Sequence, residues 1–408
     1  MSAVIDTDRS STVKGQSAAA EDYSKIRSKQ HSEGGWGLVP IQARAGRFTS
    51  FDVNDFEAVS AQDIEWKYTP LAKVRPLATD ALDGSEYEYV STSSAGAHVE
   101  WADRTDPRIG LAGKPEERAS ANAWSNFEHA LIVTVTGDDA AEATITRSSM
   151  GTAARAAHTV VIAKKHSHGL VILQNSGAAN LTENVEFVIE DDANLTVVTV
   201  QEWDNGSIHL ASHFSEVGRG AKFRHVAVTL GGSLVRVNPT AHLAEDGGEV
   251  ELFGVYYADS SQHLEHQVFV NHDAPHTKSR VSYKGALQGE GARTVWVGDV
   301  LIRPTASSAD SYEENRNLLL TDGTRADSVP NLEIETGDIL GAGHASASGR
   351  FDDEQLFYLE SRGIPEEDAR RLVVQGFLFG ILQKIGNPQL QGRLEGVIEA
   401  ELRSIVVA

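Results

Sequence analysis

From about residue 128 to 340 the chain repeats one pattern: short β-branched runs closed by Gly, Asp or Asn. HALIVTVTG (129–137), TVVIAKK (159–165), GLVILQN (169–175) and VEFVIEDDANLTVVTVQEW (185–203) come first. AKFRHVAVTL (221–230), SLVRVN (233–238), EVELFGVYYAD (249–259) and RTVWVGDVLIRP (293–304) follow. Runs of this length and composition read as strands. No helical period of comparable length interrupts them.

The spacing adds an architecture. ANLTVVTV begins at Ala193, AKFRHVAV at Ala221 and GEVELFGV at Gly248, so the starts are 28 (221 − 193) and 27 (248 − 221) residues apart. Each has apolar residues at its third and eighth positions: Leu195 and Val200, Phe223 and Val228, Val250 and Val255. A strand recurring at such a period is the signature of stacked coils that bury a continuous interior. Small residues ahead of each strand suit tight corners. The pattern predicts a mainly β fold, a parallel β-solenoid or β-helix, with an ordinary β-sandwich as the alternative.

The pattern changes at both ends. Residues 1–30 read as a mobile polar arm, 31–125 as an irregular mixed region, 126–345 as the β-helix core and 346–408 as a C-terminal helical subdomain. Asp352 and Gln355 resemble a capping box ahead of EQLFYLESR, and Gly363 is the left-handed stop. Pro365 then opens a second helix at its first turn, with Glu366, Glu367 and Asp368 complementing its dipole. Its expected apolar stripe is Ala369, Leu372, Val373, Gly376, Phe377, Gly380, Ile381 and Ile385, a face fit either for the protein's own solenoid or for a partner. Asn387–Pro388 breaks it, and a third helix follows.

Composition then narrows the chemistry. Lys plus Arg number 36 and Asp plus Glu 58, a formal net charge of −22, which argues against nucleic acid and anionic membranes as partners. With no cysteine in its 408 residues, the chain has no disulfide, no thiolate nucleophile and no cysteine ligand of its own. There is no secretory segment at the N-terminus and no apolar run long enough to span a bilayer, so a cytoplasmic location is expected. Gly-x-Ser-x-Gly, His-Glu-x-x-His and nucleotide-binding glycine motifs are absent, and the Gly-Lys pair at Lys114 lacks phosphate-loop spacing.

Histidine remains, fifteen residues in all. His166 and His168, two apart, would share one face of a strand, and His263, His266, His272 and His276 cluster in sequence. Each group could ligate a metal or serve as ordinary polar surface, and His272 is a weak metal candidate. His344 stands apart, placed between Gly341, Ala342, Gly343, Ala345 and Ser346 where solenoid gives way to helices. It reads as an accessible imidazole in a loop, either open to a metal centre or incidental to a linker.

PNLEIETGDILGAGHASASGRFDDEQLFYLESRGIPEEDARRLV, from Pro330 to Val373, resembles the C-terminal signature of SufD-type members of the SufB/SufD iron–sulfur cluster assembly family. Segments at 63–71, 271–287 and 293–320 resemble the same family in the same order, so the likeness covers about residues 60–400. It implies a right-handed parallel β-helix and a non-catalytic scaffold subunit of a SufB–SufC–SufD complex. The implied partners are a SufB-like subunit and a SufC-like ATPase that docks on the C-terminal helices. Phe357, Tyr358, Leu372, Val373, Phe377 and Phe379 are the candidate docking residues. His344 matches the family histidine at the subunit interface, a candidate ligand of iron or of a nascent cluster shared with the partner. Many members carry cysteine two residues earlier, where this chain has Ala342, so further ligands would come mainly from the SufB-like chain. A homodimeric scaffold is the first alternative, since exposed sheet edges invite self-pairing. A β-helix enzyme acting on polysaccharide through paired carboxylates is the second.

Overall fold

The computed structural model describes residues 46–403 apart from 80, 138, 351 and 352. The arm expected over residues 1–30 lies outside that range, and the Asp352/Gln355 cap falls outside the described side chains. Strands occupy 47% and helices 18%, in a parallel β-solenoid of about eight turns with helices at its C-terminus.

The first nine strands are β1 (Val90–Ser93), β2 (Ala97–Asp103), β3 (His129–Val135), β4 (Ala140–Arg147), β5 (Arg155–Ala163), β6 (His168–Gly177), β7 (Asn180–Ile189), β8 (Asn194–Trp203) and β9 (Ile208–Val217). The rest are β10 (Lys222–Thr229), β11 (Leu234–Leu243), β12 (Glu249–Ala258), β13 (His263–His272), β14 (Lys278–Leu287), β15 (Arg293–Ile302), β16 (Ala309–Leu319), β17 (Arg325–Ile334) and β18 (Ile339–Gly349). From β3 onward successive strands alternate between two nine-stranded sheets, so each coil gives one strand to each: β1 and the even strands β4 to β18 form the first sheet, and β2 with the odd strands β3 to β17 the second.

The period read from the sequence is the register of one sheet. Leu195, Phe223 and Val250 stand opposite one another across β8, β10 and β12, as do Val200, Val228 and Val255. The two rows lie on opposite faces. The first lines the solenoid interior, and the second lies outside, beneath the C-terminal helices. Strands buried on both faces carry apolar residues on both, which is why these runs look continuous rather than alternating.

Corners are stacked as regularly as strands. His166, Asp192, Gly220, Gly247, His276 and Ser308 all have positive φ. Each donates its N–H to a carbonyl of the next coil: Asp191, Arg219, Asp246, Pro275, Ser307 and Asp338 in turn. His and Asp are among the side chains that tolerate this conformation, and Gly220 and Gly247 adopt it without steric penalty.

The two ends differ. At the N-terminal end β1 and β2 run antiparallel to β4 and β3 and close the stack. Helices α1 (Leu71–Thr79) and α2 (Arg118–Asn126) pack on the second sheet, burying Val74, Leu77, Ala119 and Ala123 against Ala156, Leu210 and Leu234. At the other end β17 pairs only with β15 and β18 only with β16, and no described strand covers them.

Three helices follow: α3 (Asp353–Ser361), α4 (Glu366–Leu382) and α5 (Pro388–Arg403). Gly363 has φ +85°, the left-handed stop expected after α3. Pro365 is the N-cap of α4 rather than its first helical residue. The docked face of α4 is Val374, Leu378, Ile381 and Leu382, joined by Ile385 and by Leu390, Leu394 and Ile398 of α5. It packs on Val198, Val226, Phe253 and Val255 of the first sheet. The expected stripe is met in part: Ala369, Ile381 and Ile385 are buried, but Leu372, Gly376 and Gly380 are exposed, and Val374, Leu378 and Leu382 take their place in the buried face. Apolar residues surround most of this helix, so periodicity alone gave no unique buried face. No helix among the described residues is long and apolar enough to cross a membrane.

Candidate functional site

His344 lies on a strand, not in a loop. Its segment forms β18, the last rung of the first sheet, with His344 opposite Glu313 of β16. In β16 Ala309, Ser311, Glu313, Asn315 and Asn317 are buried while Tyr312 and Arg316 are exposed. Their register partners Ala342, His344, Ser346 and Ser348 therefore share the interior face. The small residues that suggested a loop fit an end strand, where little needs to be buried.

A β-bulge makes this arrangement possible. Ala309 pairs with Ile339, but the next residue, Asp310, pairs with Gly341, leaving Leu340 as the extra residue. Leu340 is pushed outward and is 77% exposed. Ile339 and His344 are five apart, so in a regular strand they would face opposite ways. The bulge turns both inward.

Around His344 the interior is polar. Asn315 Nδ2 donates to Tyr256 Oη at 2.8 Å, and Tyr256 Oη donates to Asn317 Oδ1 at 2.7 Å. Ser328 Oγ, from the facing sheet, donates to Asn315 Oδ1 at 2.6 Å, and Asn317 Nδ2 reaches Ser348 Oγ at 3.2 Å. Glu313 is the exception. It is fully buried, yet neither carboxylate oxygen has a hydrogen-bond partner. Burial, reinforced by the nearby charge of Asp299, pushes its carboxyl up to about 8. Its rung neighbours are Val281 below and His344 above. Gly298 makes room for it, since a Cβ there would come within 2.6 Å of Glu313 Oε2. The His344 Nδ1 to Glu313 Oε1 distance is 3.9 Å, beyond hydrogen-bond range. The His344 side chain is 43% exposed at the open end.

The other histidines are held apart from this point. His272 is buried and both ring nitrogens contact hydroxyls, Thr277 Oγ1 at 2.8 Å and Ser279 Oγ at 2.9 Å. Burial depresses its pKa to about 4, so it is a neutral internal bridge with no free donor for a metal. His166 is a corner residue 3.8 Å from Asp192, and only His168 starts a strand, so the two do not share a strand face. His263 pairs with Glu265, His266 with Thr229 Oγ1, and His276, another corner residue, with Asp246. Among the described residues no three His, Asp or Glu side chains converge on one point.

On the helices, Phe357 is 72% exposed and Tyr358 and Leu372 are also exposed, whereas Val373 is half-buried. Phe377 and Phe379 pack at the margin of the cluster that fastens α4 to the solenoid. The six residues thus divide between an open apolar surface and the protein's own docking seam. Glu313 was not singled out from sequence. In SYEENRNLLL both faces of the strand carry polar residues, so alternation did not show which faced inward.

Known proteins resemble the chain over most of its length. The family profile described as SUF system FeS cluster assembly, SufBD core domain, matches residues 144–377. An iron–sulfur cluster assembly SufBD family protein of Mycobacterium tuberculosis is 46% identical over 366 residues, 87% of this chain and 92% of that protein. One from Mycobacterium leprae is 47% identical over 368 residues, 87% of this chain and 93% of its own length. A different SufBD family protein of M. tuberculosis is 27% identical over 201 residues, 49% of this chain and 24% of its own. A parallel solenoid, a profile over its core and relatives matched almost end to end agree: this chain belongs to the SufBD family of iron–sulfur cluster assembly proteins.

Proposed function

We propose that the chain is the SufD-type, non-catalytic scaffold subunit of a cytoplasmic SufB–SufC–SufD assembly. The observation that carries this reading is the C-terminal end of the solenoid, where no strand among the described residues continues β17 and β18 and where His344 is turned into the mouth. A SufB-like subunit continues the two open sheets by pairing with β17 and β18, a form of strand addition. Ile334, Leu340 and Tyr312, all exposed near this end, supply apolar contact. His344 then serves as a ligand of iron or of the growing cluster at the junction. Thiolates come from the partner, because this chain has none, and imidazole can replace thiolate on cluster iron. Phe357, Tyr358 and Leu372, with Val373, form the seat for a SufC-like ATPase. Its nucleotide-driven motion would pull on α4 and α5, which are fastened to the sheet leading to His344. The pair of distinct SufBD proteins in M. tuberculosis supports a two-subunit arrangement.

The test is co-expression with SufB- and SufC-like subunits, then the mass, iron and sulfide content of the purified complex. His344→Ala is expected to assemble normally and to carry several-fold less cluster. Leu372→Asp with Phe357→Asp is expected to lose the ATPase while keeping the other subunit. Unchanged cluster content in His344→Ala would remove the ligand role. A native chain that only self-associates would make it a homodimeric scaffold instead.

Strand register gives an independent check. Deleting Leu340 straightens the ladder and leaves His344 opposite Glu313, so cluster content is expected to stay near native. Deleting both Leu340 and Gly343 places His344 opposite Tyr312, on the outer face, and cluster content is expected to fall to the His344→Ala level.

A further inference from the structure

A fully buried carboxyl without a hydrogen bond is unusual, because desolvation opposes its charged form and nothing compensates its polarity. Glu313 is such a group, and it sits in a prepared place. Gly298 leaves the space that its carboxylate fills, the Trp296 ring closes in on the same Gly298 position, and Val281 lies one rung below. The one polar side chain beside it on the ladder is His344, one rung above and open to solvent. The 3.9 Å between His344 Nδ1 and Glu313 Oε1 is too long for a hydrogen bond. Borderline divalent ions sit about 2.0–2.2 Å from His nitrogen and carboxylate oxygen, so two donors on one ion lie at most about 4.3 Å apart. The gap lies inside that limit, and tetrahedral bonding would bring the two donors to about 3.4 Å, a closure of about half an ångström that the solvent-exposed His344 ring can supply.

We propose that Glu313 and His344 together form a two-ligand site for a borderline divalent cation of the iron(II) class at the mouth of the solenoid. Glu313 approaches from inside the lumen and His344 from its rim. An ion there satisfies the carboxylate that the fold leaves unpaired, and nearby Asp299 adds to the negative field that favours it. Since no third His, Asp or Glu of the described residues converges on this point, the remaining positions fall to water or to the chain that covers the end. The inference deepens the scaffold reading and rests on it only for that last contribution.

The experiment is an anaerobic titration of the isolated full-length chain with Co(II), followed by visible absorption and calorimetry, and repeated with Fe(II). The proteins are native, His344→Ala, Glu313→Gln and, as a control away from the site, His276→Ala. One site is expected in native and His276→Ala, weakened about tenfold or more by either change at the proposed pair. Glu313→Gln keeps the side-chain volume, and its circular dichroism and urea midpoint verify that it is folded. Binding in Glu313→Gln equal to native, or no saturable binding by native chain, would overturn the site. Those results are separable from the scaffold reading. A complex that forms and loses cluster only in His344→Ala upholds the scaffold and removes Glu313. A complex that never forms removes the scaffold while the titration still decides the cation site.

Discussion

Replacing Arg147 by alanine is expected to destabilise the protein by about 3–5 kcal/mol, the range for removing one member of a buried ion pair. Arg147 and Glu183 are both nearly inaccessible and meet in a two-pronged contact, Nη1 to Oε2 at 2.7 Å and Nη2 to Oε1 at 2.8 Å. Arg147 Nε also donates to Asn175 Oδ1 at 2.6 Å, and His209 Nε2 lies 2.8 Å from Glu183 Oε1. Burial alone would raise the Glu183 carboxyl, but the Arg147 charge holds it well below the usual carboxylate range. Alanine would leave that carboxylate buried without its cation. A large drop in the urea midpoint is expected, and changing Glu183→Gln in the same chain should recover part of it. A drop no larger than that of a surface substitution would show that solvent reaches this network.

The second large effect is a pH dependence set by Glu313. In the folded chain its carboxyl keeps its proton until about pH 8, whereas unfolding returns it to its ordinary value of 4.5. The unfolded state therefore binds fewer protons than the folded state between those values, and stability falls as pH rises. The loss is about 1.4 kcal/mol per unit, or about 3 kcal/mol by pH 7. The contribution is fully present below pH 4.5 and gone above about 8. Glu313→Gln cannot ionise, so the difference in unfolding free energy between native and variant should slope across this window and flatten outside it. The buried histidines act in the opposite sense. Burial lowers His213 and His266 to about 3 and His272 to about 4, so their contribution is present above pH 6.5 and lost on acidification. Subtracting the variant's curve removes them. A flat difference between pH 5 and 8 would mean that Glu313 is hydrated or already paired.

The sequence alone carried the coil period, and with it a preference for a solenoid over a sandwich. Parallel rungs place like residues one above another, and that in-register stacking leaves a linear trace, as with Leu195, Phe223 and Val250. It also determined the three C-terminal helices and the stop at Gly363, because caps and breakers act locally. The absence of cysteine set what the chain cannot contribute to a cluster.

Which face each residue shows depended instead on contacts between segments far apart in the chain. The apolar surface of α4 wraps too far to select Val374 and Leu378 over Leu372 and Gly376 until the sheet beneath it is known. The corner role of His166 and His276 depends on a carbonyl one coil away, which no local pattern records. His344 looked like a loop residue because Gly, Ala and Ser carry little strand propensity; pairing with β16 overrides that preference. The Leu340 bulge then fixes its direction, and the same pairing sets it above Glu313, 31 residues earlier in the chain. Alternation could not find that carboxyl, because polar residues line both faces of its strand. The candidate site is the product of register between coils, a long-range property that no single segment encodes.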